Sequence, residues 1–427
     1  MFRATSQPAV PARPYRLPGA LRHRNFRLFF TGQVISTVGT WMQGIAQTWL
    51  VLQITHSGFK VGLVLAAQYL PMLVAGPFGG LIADRFPRRR VLLVTQSLLM
   101  LPVFALFLVS LAHLAQFWMV MVAAVAIGAI NVFDFPTRQA FVIEMAGRDD
   151  LINAIALNSS AFTAAAVVGP SMAGILITVV GIPFCFLANS VSYLVAIVAL
   201  VMMTNLPVRV RDGTRNTLYD RIKDGAVYAP RDPVVGMMLL TVAIVSLFAM
   251  NRLTLIPLFA HDVLGVGAAG FGFLMGSMGL GSLLGALTLV LNFRRGPGGR
   301  VQFWVAVIWT ATLLALSASR IFWISAGLLC VAGFCQITFT ATANTRIQTA
   351  TPDRLRGQVM SLYAQALLGV GPIGALQAGS LASLLGAPAS MAIGAGVALA
   401  TLVAIRVFRP AVFTLEAPPD GPRAASA

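Results

Sequence analysis

Acids and bases are scarce in this chain, and they are gathered in a few places. The stretch Gly80-Leu81-Ile82-Ala83-Asp84-Arg85-Phe86-Pro87-Arg88-Arg89-Arg90 sets one carboxylate and four guanidinium groups between two long apolar segments. Such a set does no bond chemistry. It would either make ion pairs that form and break, with the carboxylate accepting hydrogen bonds at the amino end of a facing helix, where the dipole favours an anion, or serve only to satisfy helix ends and fix topology. Asp134 follows an apolar run and has Arg138 four residues on. A carboxylate at membrane depth is costly unless it is paired or hydrated, and Arg85 or Arg88 would supply a partner. Arg252, beside Asn251, interrupts another apolar run, where it would either neutralise an anionic substrate or mark the outer boundary of a span.

Uncharged polar residues recur at helical spacing. Ser36, Thr40, Gln43 and Gln47 follow one another at steps of four, three and four, and Gln336, Thr340 and Asn344 at steps of four, so each set lies on one helix face. A polar stripe in lipid faces protein or water, which means either hydrogen bonding between helices or the lining of a substrate cavity. Enzyme chemistry lacks its reagents. The histidines His23, His56, His113 and His261 are scattered near tails and loops, and no intramembrane acids are paired. Cys185, Cys330 and Cys335 lie in apolar segments, without a disulfide framework or metal spacing. No Gly-x-x-x-x-Gly-Lys-Ser/Thr loop occurs, so direct ATP coupling is not expected. No metal or cofactor is expected either.

The elements that hold these residues are membrane helices. The 427 residues are 58% apolar and 10% charged, with mean hydropathy +0.83, which excludes a water-soluble globule with its roughly 25% of charged residues. Val61 to Ala83, Val91 to Phe133, Leu151 to Val208 and Gly357 to Ile405 contain no Asp, Glu, Lys or Arg. These runs predict helix 1 over about Phe26 to Leu52, helix 2 over Val61 to Ala83, helix 3 over Val91 to Leu111 and helix 4 over Phe117 to Phe135. Helices 5 and 6 follow, with a turn at Gly181-Ile182-Pro183. The second half repeats the plan: helix 7 over Pro233 to Leu258, 8 over Gly270 to Leu291, 9 over Val301 to Ser319 and 10 over Ile321 to Thr345, then 11 and 12 with a turn near Gly386-Ala387-Pro388. The repeat is legible in places, Thr137-Arg138-Gln139 against Thr345-Arg346-Ile347-Gln348 and Gly169-Pro170 against Gly371-Pro372.

Residues 1–25 are proline-rich and basic, and read as a disordered tail whose Phe26 onward is a retained first helix. Residues 205–232 form a mixed-charge connector with a short surface helix over Thr217 to Ala229, and 409–427 form a second tail. The net charge of +17 would suit nucleic acid in a soluble protein. Here 27 of the 30 Lys and Arg fall on one side of twelve spans when both termini are cytoplasmic, with Lys60, Arg252 and Arg320 left over. The positive-inside rule therefore accounts for the charge, and no nucleic-acid partner is expected.

The turn from Gly80 resembles the motif between helices 2 and 3 of the major facilitator superfamily of transporters: Gly, three residues, Asp, Arg, a spacer, Gly, Arg and basic residues. Gly80, Asp84, Arg85, Arg88, Arg89 and Arg90 match, and Pro87 stands where a second glycine is usual. Gly169-Pro170-Ser171-Met172-Ala173-Gly174 partly resembles the Gly-Pro motif of helix 5 in the superfamily's antiporters, with alanines at 164 to 166 in place of the upstream glycine; it would serve helix packing or gating. The runs Gly32-Gln33-Val34-Ile35-Ser36, Gly39-Thr40-Trp41, Trp49-Leu50-Val51-Leu52, Gln68-Tyr69-Leu70-Pro71 and Pro136-Thr137-Arg138-Gln139-Ala140 look like the branch that contains the enterobactin exporter and macrolide efflux proteins. Thr40 stands where some members of that branch carry an acid.

The resemblance implies an all-α polytopic membrane protein with twelve transmembrane helices in two pseudo-symmetric six-helix bundles, residues 26–204 and 233–408. It implies alternating access about a midplane site, a small-molecule substrate, a monomer in the bacterial cytoplasmic membrane and, as an open question, a coupling proton. Under it the gate would be Asp84 capping helix 11 near Arg356 and Gly357, with Arg85 or Arg88 on Asp134, and the cavity would draw on Gln43, Gln47, Asn251, Arg252, Gln336, Thr340 and Asn344. Export of amphipathic molecules such as drugs or a siderophore is the leading function. Uptake, lipid flipping, a transporter-like sensor and an intramembrane enzyme are the alternatives.

Overall fold

The computed structural model describes residues 19–146, 150–204, 232–292, 298–352 and 355–414, all of them in helices and the turns between helices. The first six long helices are α1 (Arg24–Thr55), α2 (Gly58–Arg85), α3 (Arg88–Leu111), α4 (Phe117–Ala146), α5 (Leu151–Val179) and α6 (Ile182–Val201). The second six begin with α7, which runs Pro233–Ala249, breaks at Met250 and Asn251, resumes over Arg252–Leu258 and ends in a π turn, Phe259–Val263. Then come α8 (Ala268–Asn292), α9 (Gly299–Ala318), α10 (Phe322–Ala350), α11 and α12 (Ala387–Phe408). α11 is also broken, into Arg356–Ala364, a π turn over Gln365–Gly369, and Gly371–Leu385. Among the described residues, 11 spans are long and apolar enough to cross a membrane. The twelfth long helix is α1, whose 32 residues exceed the roughly 20 needed. Its Ser, Thr and Gln stripe lowers its hydropathy.

Because successive helices alternate in direction, α1 starts and α12 ends on the same face of the molecule. We call this the near face; it carries the Phe86-Pro87 turn. The far face carries the turns at His56, His113, Gly181, Gly265 and Gly386, all at positive φ. At Gly181 (φ +102°) and Gly386 (φ +86°) the backbone takes a conformation that only glycine adopts readily, and a proline in the first turn starts the next helix. Both turns match the sequence reading.

Helix pairing repeats after six helices. α2 packs on α4, α3 on α4 and α3 on α6; α8 packs on α10, α9 on α10 and α9 on α12. The two bundles meet through α2 against α11, α5 against α8, and α1 against the Arg252–Leu258 piece of α7.

Four expectations are corrected. α4 does not stop at Phe135; it carries Pro136 inside it and continues to Ala146. The Thr137 hydroxyl donates to the Phe133 carbonyl at 2.7 Å within that turn, and the extension puts Asp134 and Arg138 inside the helix. α7 is interrupted at Asn251, whose side-chain amide donates to the Leu247 carbonyl at 2.8 Å and so competes with the helical ladder. Residues 19–25 are structured: Ala20 is fully buried, its N–H donates to Asn153 at 3.3 Å, and Asn25 bonds the Thr204 carbonyl at 2.6 Å. On the other side Val412 and Phe413, expected in a tail, are 2% and 1% exposed. The connector 205–231, with its predicted surface helix, and residues 1–18 and 415–427 lie outside the described residues.

Candidate functional site

Polar side chains collect at three depths. On the near face each polar contact between described partners stays within one bundle. Arg88, on α3, donates to the Ala140 carbonyl at 2.9 Å and pairs with Glu144 of α4 at 3.0 Å. Arg89 bonds the carbonyls of Leu200 and Val201 on α6, each at 2.8 Å. Asp134, 1% exposed, accepts from Thr95 at 2.7 Å, Gln96 at 2.8 Å and Arg138 Nε at 3.0 Å, with Arg138 Nη2 on the same oxygen as Nε. In this conformation Asp134 is partnered by Arg138, one turn away, and Arg88 by Glu144, an acid that reading to Phe135 had left off the helix; the expected pairing of Arg85 or Arg88 with Asp134 would belong to the near-face contacts of the opposite state. Pairing makes the buried carboxylate tolerable, since an uncompensated ion there costs several kcal/mol. In the other bundle Arg346 donates to Gln302 and to the Val412 carbonyl, both at 2.5 Å, and Arg356 to the Gln348 carbonyl at 3.1 Å. α2 reaches Arg85 as a helix, but the surroundings of Gly80 and the side chain of Asp84 lie outside what is described, as do the surroundings of Gly357. The capping of α11 by Asp84 is therefore not described.

At mid-depth of the first bundle an amide chain runs across three helices. Gln43 donates to Gln47 at 3.3 Å and Gln47 to Gln68 at 3.1 Å. Asn189 of α6 donates to Gln43, and Ser192 to Asn189 at 2.8 Å. Gln43 and Gln47 are 3% and 2% exposed, so in this conformation they bond helix to helix. In the second bundle Tyr363 of α11 donates to the Thr340 carbonyl at 2.9 Å, the Thr340 hydroxyl bonds the Gln336 carbonyl at 3.0 Å, and Gln348 donates to Asn344 at 2.5 Å. Thr340 and Asn344 border α11 at Tyr363.

Between the bundles, near the middle of α1, stands Arg252. The break in α7 presents it to the first bundle, with its guanidinium 5.6 Å from the Trp41 ring centroid and Tyr69 of α2 within electrostatic range. It has no ion pair or hydrogen bond among the described residues. Arg252 is half-buried, and a cation–π contact returns about 0.5–2 kcal/mol of the cost of withdrawing its charge from water. Tyr69, near the middle of α2, keeps 43% of its surface accessible. Asn251 is 9% exposed and faces Gly374 of α11. The sequence placed Arg252 in a cavity or at the outer boundary; it lies at mid-depth. Trp41 and Tyr69 were not read as its partners, because only the break at Asn251 brings α7 onto them.

Toward the far face the bundles touch directly. A Cβ on Gly62 would lie 2.3 Å from the Ala375 carbonyl oxygen, one on Gly379 2.6 Å from that of Gly58, and one on Gly272 2.5 Å from the Gly174 Cα. Trp49 of α1 stacks on Phe271 of α8 with centroids 5.6 Å apart, and His56 approaches His261 at 6.4 Å. Gly169 has a different duty, since its Cβ would meet Trp41 at 2.6 Å and Val38 at 2.9 Å; it lets α5 close on α1 within one bundle. Pro170 and Pro372 are buried, while Gly371 stands in open space, so the two Gly-Pro pairs are not equivalent in packing.

Known proteins were compared with this arrangement. The family described as transmembrane secretion effector matches residues 18–419. The enterobactin exporter EntS of Escherichia coli O81 (strain ED1a) is 25% identical over 398 residues, 91% of this chain and 94% of that protein. Its counterpart in Salmonella choleraesuis (strain SC-B67) is 24% identical over 388 residues, 90% and 92% of the two chains. The staphyloferrin A transporter of Staphylococcus aureus (strain NCTC 8325 / PS 47) is 23% identical over 268 residues, 62% of this chain and 66% of that one. Among solved structures, the nucleoside transporter NupG superposes with TM-score 0.71 at 12% identity, covering 91% of this chain and all of that one. A bacterial homologue of the lysosomal transporter Spinster, inward-facing and unoccupied, gives 0.70 at 13% identity over 93% and 97%. These structures share the fold.

Proposed function

The chain belongs to the transmembrane secretion effector family of major facilitator superfamily transporters, and on that premise we propose that it exports amphipathic small molecules from the cytoplasm by alternating access. It is a multi-pass membrane transporter. The single observation that most supports the mechanism is the direct helix contact of α2 with α11 and of α5 with α8 in the far half of the molecule. Two bundles joined there and lined with polar groups at mid-depth can rock about a central site. The near face is cytoplasmic in this reading, because 13 of the 16 Lys and Arg among the described residues belong to it. The far-side contact then makes this the conformation closed to the outside. Release to the outside requires the far contacts to part and near-face contacts to form, the latter drawing on Asp84, Arg85 and the helix 11 amino end.

Export is favoured over uptake by the family's description and by the enterobactin exporters matched along nearly the whole chain. The protein acts as a monomer, with the connector 205–232 joining bundles 26–204 and 233–408. Any proton coupling would run through a carboxylate other than one at Thr40. Transport in inverted membrane vesicles with an imposed pH gradient tests the reading. Accumulation of an amphipathic dye, a macrolide or a catecholate inside vesicles that carry the protein, and not inside empty ones, is the expected result. Uptake by right-side-out cells with no accumulation in inverted vesicles would reverse the direction.

A further inference from the structure

We propose that Arg252, flanked by Trp41 and Tyr69, is the substrate-recognition point of the central site, and that the substrate class is an aromatic anion, an aryl carboxylate or an acidic phenol. The inference deepens the transport reading and rests on it for the word substrate. Its physical basis is an imbalance of charge. Arg252 is held at mid-depth by the break in α7 and carries a full positive charge that no carboxylate among the described residues matches. The carboxylates described near the spans are engaged elsewhere: Asp134 with Arg138, Glu144 with Arg88, and Asp262 with His261 at the far face. The Trp41 ring lies 5.6 Å from the half-buried guanidinium and leaves its planar donor fork free for a bidentate acceptor.

The aromatic component follows from the walls. Trp41 has Phe162 of α5 edge-on at 5.7 Å, and Tyr69 presents an accessible ring from α2. A flat ring entering beside Arg252 meets π faces on two helices of the first bundle while its anionic group meets a donor from the second. Such a molecule touches both bundles at once, as a ligand must if it is to bias their rocking.

The test uses purified full-length protein in nanodiscs and three probes of one shape: 1-naphthoate, 1-naphthamide and 1-naphthylmethylammonium. At equilibrium the wild type is expected to bind naphthoate at least about tenfold more tightly than the amide, the scale of one charge-assisted contact. The ammonium probe should bind most weakly. Arg252→Gln should erase the anion preference, and Arg252→Lys should keep part of it, because the charge stays while the planar fork is lost. Should Arg252→Gln fail to fold, protection of Arg252 from a dicarbonyl arginine reagent in the wild type gives the same reading. Naphthoate should protect and naphthamide should not. Equal binding of the three probes by the wild type, an unchanged preference in a folded Arg252→Gln protein, or protection by both probes would overturn the proposal. Binding needs no gradient, so a protein that prefers naphthoate yet moves nothing in vesicles would defeat the transport reading alone, and one that exports without charge preference would defeat this one.

Discussion

Asp134 shows how a single buried residue is decided by its neighbours. Its oxygens take bonds from Thr95, Gln96 and Arg138, and its side chain is 1% exposed against 19% for Arg138. Asp134→Asn would leave the guanidinium unmatched in a place where losing one partner of a buried pair costs roughly 3 kcal/mol. Thermal unfolding in detergent should show that loss, and the double variant Asp134→Asn/Arg138→Gln should recover part of it, since no charge is then stranded. Strictly additive losses would mean that the pair contributes nothing specific. The sequence identified Asp134 as costly, and in this conformation its partner is Arg138, because Pro136 sits inside α4 and the helix, continuing past Phe135, delivers Arg138 at i+4. Arg252 was legible as an anomaly, a charge in an apolar run, but its aromatic partners were not, because they come from helices remote in sequence.

Long apolar runs made most helices readable, and the glycine turns at 181 and 386 were readable for the same reason of backbone geometry. What periodicity could not convey is where helices break and where they touch. The interruption of α7 falls at Asn251-Arg252, polar residues that read as a substrate contact or a span boundary and not as a helix break, and it sets Arg252 against Trp41. The contact of α2 with α11 runs through Gly58 and Gly62 on one helix and Ala375 and Gly379 on the other, small residues at a four-residue step that the reading by apolar runs did not use. Gly62→Val would drive a side chain into the Ala375 carbonyl, where a Cβ alone would already lie at 2.3 Å. Overpacking of that kind costs about 1–3 kcal/mol. Because the contact exists only while the far face is closed, the cost falls on one conformation and should raise the open-to-closed ratio roughly 5- to 150-fold. Spin labels at Phe59 and Leu384, exposed on the far ends of α2 and α11, would report it as a longer distance. An unchanged distance in a folded Gly62→Val protein would show that α2 and α11 do not form the far-side seal.

At the scale of the molecule, two bundles with matching internal pairings share an interface made of close helix approaches, aromatic contacts and the guanidinium of Arg252, which has no ion pair among the described residues. Charge is segregated to the face from which α1 starts, and the twelve-helix plan with its internal repeat could be read from that segregation together with the apolar runs. The state of the transporter could not, because it depends on which ends of the bundles touch. The central claim is that the bundles rock as rigid bodies about the mid-depth site, so the two faces open in opposition. Its most direct test is paired distance measurement by electron spin resonance on one preparation. Labels at Phe59 and Leu384 report the far face, and labels at Arg90 and Arg300, exposed at the near-face ends of α3 and α9, report the other. Alternating access predicts a short far-face distance in the conformation described and, on adding a transported substrate or Gly62→Val, a far-face population that lengthens as the near-face population shortens. Distances that lengthen together on both faces, or far-face opening with no near-face change, would contradict it.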